Sequence, residues 1–165
     1  MSKRSFPNWY KLAEAALNIT PKEFQAMTYE EKKALAKNKS ITQETQLLFF
    51  TQEYDYKYNI LWPLADNTSI SPQTQLLFFT VKYKDNLNTL WALAHNRSIS
   101  PQTKLLFFTQ EYGDKHDVLK LILRNRNIFL KGLTPKELRE FAKAKEARLP
   151  VYRKRFKDIR EKIKL

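Results

Sequence analysis

The residues best placed to do chemistry are basic and lie late in the chain. Arg153, Lys154, Arg155, Lys157 and Arg160 form a dense run, preceded by Lys143, Lys145 and Arg148. Residues 131–165 carry thirteen basic and five acidic side chains, a net +8. Lys and Arg set against phosphates release counterions and give sequence-independent affinity for nucleic acid. A helix can align them along a phosphate backbone. Arg97, and Arg124 and Arg126 on either side of Asn125, could extend such a patch. A solvated face that maintains solubility is the plainer use of a charge run. The scarcity of acidic residues around 153–157 favours binding, with residues 143–164 as the main contact.

Catalytic and metal chemistry finds little footing. His95 and His116 have no second His, Cys or spaced carboxylate in a ligand pattern. The position of His95 is held by Asp66 and Arg124 one period away on either side, as a solvent-facing site would be. The absence of cysteine excludes disulfides, thiol catalysis, iron–sulfur clusters and Cys-based zinc sites. There is no nucleophile elbow, phosphate loop or paired-carboxylate motif. The expectation is a protein that is not an enzyme and needs no cofactor or metal. An active site would have to be assembled by folding from scattered Lys, Tyr, Asp or Glu.

The elements that position these residues are announced by a repeat. Ser40-Ile41-Thr42-Gln43-Glu44-Thr45-Gln46-Leu47-Leu48-Phe49-Phe50-Thr51 returns as Ser69 to Thr80 and as Ser98 to Thr109, at a step of 29 residues. Asn38, Asn67, Asn96 and Asn125 keep the same spacing, as do Tyr54, Tyr83 and Tyr112. A fixed period of this size marks a repeat architecture. Only two glycines occur, which argues against folds built on tight turns between strands. The fold expected is all-α: a short right-handed α-solenoid of about three 29-residue helical repeats with helical caps. Residues 1–37 would form the N-terminal cap, 38–128 the repeats and 129–165 the basic C-terminal cap.

Local signals fill in the elements. Apolar spacing predicts a helix over 8–18. Thr20-Pro21-Lys22-Glu23 and Thr28-Tyr29-Glu30-Glu31 are capping boxes. Ser71-Pro72 and Ser100-Pro101 open helices, the first expected to run from Gln73 to about Tyr83 with Leu76, Leu77, Phe78 and Phe79 buried. The apolar run before each Asn is shorter and in one copy contains Pro63, so a single turn or 3₁₀ piece is predicted there. Each Asn is expected to fasten a corner through its turn preference, and the Phe pairs to lie in the core. Thr134-Pro135-Lys136-Glu137 opens a further helix to about Arg148. After Pro150, a last helix places Tyr152, Phe156, Ile159 and Ile163 on one stripe.

The stretch Ala94-His95-Asn96-Arg97-Ser98-Ile99-Ser100-Pro101, followed by Leu105-Leu106, resembles the variant leucine-rich repeat, whose unit reads roughly Ala-x-Asn-Pro-x-x-Pro-x-x-x-Leu. The same residues recur at Ala65-Asp66-Asn67 with Pro72 and Leu76, and more weakly at Ala36-Lys37-Asn38, where Gln43 replaces the proline. The resemblance covers roughly residues 34–128. It implies 3₁₀ helices alternating with α-helices in a right-handed superhelix. This chain departs from the family in its longer unit and in lacking proline after the Asn, and a HEAT-like helix pair is the alternative. The iron–sulfur cluster found beside some family members cannot form here without cysteine.

The net charge of +13 is uneven: the two copies over 40–97 are near neutral at −1, while residues 1–39 carry +4. The leading expectation is a non-enzymatic nucleic-acid-binding protein, for RNA or DNA. The alternative is a protein-interaction module whose basic patch docks an acidic protein or a ribonucleoprotein. A composition rich in Lys, Asn, Tyr, Phe and Ile suggests an AT-rich bacterial or phage genome, where such a module would regulate or inhibit a host machine. No apolar run approaches the ~20 residues of a membrane span, and no apolar segment follows Lys3 and Arg4 as in a secretory signal. A cytoplasmic location is the default.

Overall fold

The ends of a helix leave backbone groups without partners, and in this chain side chains cap the starts of most of the described helices. The computed structural model describes residues 17–80, 82–113, 115–124, 133–136 and 139. Among them eight α-helices occur in the order α1 (Pro21–Ala26), α2 (Tyr29–Lys37), α3 (Gln43–Thr51), α4 (Lys57–Asp66), α5 (Pro72–Leu77), α6 (Leu87–His95), α7 (Pro101–Thr109) and α8 (Lys115–Arg124). Thr20, Thr28, Thr42, Ser71, Asn86 and Ser100 each accept from a backbone N–H in the first turn of the helix they precede. Thr20 with Glu23 and Thr28 with Glu31 complete the expected capping boxes. No strand occurs among the described residues, and Leu17 forms an isolated parallel bridge with Ile41. No described helix is long and apolar enough to cross a membrane.

The helices pack in two rows. In one, α4 lies against α2 and α6, and α6 against α8; in the other, α5 lies against α3 and α7. Contacts between α3 and α4 and between α7 and α8 join the rows. The Phe pairs form the core between them. Phe50 meets Phe78 edge-on at 4.9 Å, and Phe79 meets Phe107 in the same way at 4.8 Å. Phe24 of α1 closes the series against Phe49 at 5.0 Å. Such pairs add about 0.5–1.5 kcal/mol beyond the area they bury.

Three local expectations need correction. The runs before each Asn are full helices, α4 being ten residues long despite Pro63. Pro63 removes one backbone bond, yet the helix continues to Asp66, and the Asn67 N–H pairs with the Leu64 carbonyl at 3.1 Å. Ile60, Leu61, Leu64 and Ala65 are completely buried on this helix. Full burial contributes about 1.5–3 kcal/mol for each large apolar side chain, which outweighs the ~3 kcal/mol cost of an interior proline.

The second correction concerns α5, which stops at Leu77. Phe78, Phe79 and Thr80 then donate to carbonyls three residues back, at 3.3, 3.1 and 3.2 Å, in 3₁₀-type turns. Phe78 and Phe79 are buried, whereas Leu76 and Leu77 are only partly so. The neighbouring copies end their helices differently. Lys57 Nζ donates to the carbonyls of Phe50 and Gln52, at 2.8 and 2.7 Å, and so caps the end of α3. Lys115 Nζ does the same for α7, donating to Phe108 at 3.2 Å and to Gln110. A cation there complements the helix dipole. The equivalent position of the middle copy is Asn86, engaged in capping α6.

The third correction is at the start. Leu17 exchanges backbone bonds with Ser40 and Thr42, at 2.7 and 3.0 Å, so the end of the helix expected over 8–18 is extended chain. Residues before Leu17 lie outside the described residues, as do most of the residues of the helices expected after Thr134.

Two series of buried amides tie copy to copy. The Oδ1 of Asn38, Asn67 and Asn96 accepts from the backbone N–H two residues on, closing each corner. The Nδ2 of Asn67 also reaches back to the carbonyls of Ala36 and Asn38, at 2.8 and 2.9 Å. That of Asn96 reaches Ala65 and Asn67 at the same distances. Glutamines reach forward. Gln46 Nε2 donates to Ser69 at 3.2 Å, and its Oε1 accepts from the Ser71 N–H at 2.8 Å. Gln75 repeats both bonds, to Ser98 at 3.3 Å and from Ser100 at 2.8 Å. The asparagines thus hold the corners as expected from their turn preference, and the bonds between copies are an addition.

Substituting Asn67 by Ala should leave one buried and one part-buried carbonyl without this donor, at up to ~1–3 kcal/mol each. We expect a loss of about 3 kcal/mol in urea unfolding followed by circular dichroism. Asn38→Ala, which removes the corner bond to Ser40, should lose about 1 kcal/mol. Equal losses at the two positions would contradict the ladder.

Candidate nucleic-acid interface

The basic residues expected to bind phosphate fall mostly outside the described residues: Arg126, Lys143, Lys145, Arg148, Arg153, Lys154, Arg155, Lys157 and Arg160. Arg97 is exposed, next to the corner formed by Asn96. Arg124 closes α8, and its side chain lies outside the described residues. The described part of the fold therefore brings none of the expected contacts together.

It does show that several lysines are not surface charges. Lys57 is 8% exposed; besides the two carbonyls of α3, its Nζ lies 5.3 Å from the Tyr54 ring and 5.5 Å from that of Tyr83. Burial pushes its pKa below the usual lysine value, partly opposed by Glu53 at 4.0 Å. Lys32 donates to the Met27 carbonyl and lies over the Phe24 ring at 5.3 Å, and burial lowers its pKa too. Lys104 is also buried, at the position of Gln46 and Gln75. Lys32, Lys57 and Lys115 thus serve helix ends, and the overall charge overstates what the repeats offer a polyanion. Sequence reasoning missed these roles. The available signal was that Lys57 and Lys115 share a register two periods apart, each four residues after a Glu.

The described surface has a different feature. One register of α2, α4, α6 and α8 reads Lys33, Trp62, Trp91, Lys120, at steps of 29 residues. Trp62 is 46% exposed and Trp91 39%. A neighbouring register brings Tyr29 and Tyr58, and the next brings Asn59 and Asn88. Tyr29, Lys33, Tyr58, Asn59, Trp62 and Asn88 line a groove of about 480 Å³. Two of its rings have further partners. Lys33 Nζ lies 5.6 Å over Tyr29, and Tyr29 stands edge-on to Tyr56 at 5.9 Å. The Tyr58 hydroxyl donates to the Lys82 carbonyl at 3.4 Å, and Lys82 is tied to Glu53 at 2.6 Å. Next to Trp91, the exposed ring of His95 contacts the Trp91 carbonyl through Nδ1 at 2.9 Å. This is consistent with the solvent-facing reading of that histidine.

Sequence reasoning placed Trp62 and Trp91 inside apolar runs and overlooked them as surface. The column itself was the missed signal, since Lys33, Trp62, Trp91 and Lys120 recur at one register. Tyr54, Tyr83 and Tyr112 are packing residues. Their hydroxyls donate to the carbonyls of Phe49, Phe50 and Phe107, at 2.9, 2.8 and 2.8 Å.

No protein-family model matches the chain, and no curated protein or solved structure matches it.

Burial raises the phenol pKa of both Tyr54 and Tyr83 above the usual value. The unfolded chain ionises these phenols near pH ~10, whereas the folded chain keeps them neutral. Their contribution to stability is thus present below that pH and is lost as pH rises above it. In an alkaline absorbance titration, Tyr54 and Tyr83 should ionise above the usual tyrosine range, together with loss of helical circular dichroism. Substituting both by Phe should reduce that late phase.

Proposed function

We propose that the protein is a non-enzymatic nucleic-acid-binding helical-repeat protein. In this reading residues 38–128 form a short right-handed α-solenoid of about three 29-residue repeats. Residues 1–37 shield one end as a cap, and residues 129–165 form a basic cap at the other. The basic cap grips phosphate through Lys143, Lys145, Arg148, Arg153, Lys154, Arg155, Lys157 and Arg160, with Arg97, Arg124 and Arg126 extending the patch. The protein works in the cytoplasm, without cofactor.

One observation carries the reading: the partition of charge. Lys32, Lys57 and Lys115 are spent on helix-end carbonyls, while residues 131–165 hold a net +8. The cationic charge of the sequence is therefore weighted toward a segment with few carboxylates to compete for it. The two rows of helices, with amides bonding each copy to the next, support the solenoid. They do not separate a variant leucine-rich repeat from a HEAT-like pair.

Fluorescence anisotropy with labelled random-sequence RNA and duplex DNA should show tight binding at ~50 mM salt and a steep loss by ~200 mM. Replacing Arg153, Lys154 and Arg155 by Ala should flatten the logarithmic salt slope by about 1 for each phosphate contact removed. An unchanged slope would remove the basic run from the interface. Absence of binding at low salt would favour the interaction module, with an acidic protein or a ribonucleoprotein as its partner.

A further inference from the structure

We infer that the groove across α2, α4 and α6 takes unpaired bases of a single-stranded nucleic acid, stacked on Tyr58 and Trp62, and that the strand continues to Trp91, one repeat along the same column. This inference rests on the nucleic-acid reading above and adds a second site to it, distinct from the basic run. Bases stack on any exposed aromatic face, at about 1–3 kcal/mol each, with little sequence preference. Helical-repeat proteins that read single strands place one base on each repeat, and Trp62 and Trp91 stand one repeat apart on adjacent packed helices.

Several observations favour bases over other occupants. The rings are half-exposed, and those of Tyr58 and Trp62 line a groove of about 480 Å³. Its polar lining includes the amides of Asn59 and Asn88, which match the donor and acceptor edges of bases. Among the described residues the groove's lining carries a single charge, that of Lys33. Phosphate attraction alone would therefore not place a strand here. Lys33 and the exposed Lys37 lie one turn apart on α2, where the strand's backbone would leave the rings. A duplex keeps its bases paired and cannot stack on these rings. The site thus distinguishes single strands from double.

The chain has three tryptophans, two of them in this column, so intrinsic fluorescence reads the site directly. Full-length protein is titrated with an oligo-dT and an oligo-rU of about 20 nucleotides, and with a duplex of the same length, enough to span the ~4–16 nucleotides of a typical single-strand site. Single strands should quench the fluorescence and the duplex should not. Trp62→Ala and Trp91→Ala should each weaken single-strand binding about 10-fold, with duplex binding and the salt slope unchanged. Trp62→Phe should restore most of the affinity, and circular dichroism should match wild type throughout. Loss of the Arg153, Lys154 and Arg155 charges should weaken both ligands while leaving the quenching at saturation intact. Binding without quenching, or equal affinity in wild type and both Ala variants, overturns the groove and leaves the phosphate reading standing. Binding to no nucleic acid at low salt overturns both and leaves the exposed rings as a protein-docking face.

Discussion

A primary amide donates at one end and accepts at the other, and the stacking of this chain depends on that duality. Asn67 and Asn96 each use the oxygen to close their own turn and the nitrogen to hold the carbonyls of the preceding corner. Gln46 and Gln75, on α3 and α5, use nitrogen and oxygen to hold the Ser-x-Ser segment of the next copy. A buried polar group without a partner costs about 1–3 kcal/mol, so a copy shifted in register would strand several such groups together. Apolar packing alone would tolerate slippage between rows of Leu and Phe. The amides specify one alignment.

The chemistry of the position also explains where the pattern stops. Position 104 is Lys, which offers three donors and no acceptor. It cannot receive an N–H as Gln46 and Gln75 do. The recurring Ser-Pro start is likewise not repeated one period on, at Phe129-Leu130. Charge is used in a similar way inside the fold. Lys57 and Lys115 close the ends of α3 and α7, and where Asn86 replaces them α5 unwinds into tighter turns. The middle copy also carries Val81 and Lys82 where its neighbours have Gln and Glu, and its helix is shorter by about a turn.

These internal uses of polar groups shape the functional surface. Amides and lysines that a composition count would assign to solvent are committed to the backbone. What remains exposed on the outer row is a column of two tryptophans with lysines at either end. Such a column has no role in the core, because Leu90, Leu93, Ile60 and Leu64 already fill the buried faces of α4 and α6. Its aromatic area is therefore available to a partner, whereas the strongest charge lies later in the chain.

The period, the helix starts and the burial of the Phe pairs are all local or periodic properties, and the sequence alone determined them. A Ser or Thr ahead of a helix caps it wherever it occurs, and a 29-residue period needs no coordinates. The corner role of Asn was legible for the same reason. Only tertiary structure decided that Pro63 stays within a helix, because neighbouring helices supply the burial that outweighs its lost bond. Only tertiary structure turned Lys57 inward and Trp62 outward, against their ordinary preferences. Those preferences describe a side chain meeting water, and here helix ends and packed neighbours, brought close by the fold, set the balance instead.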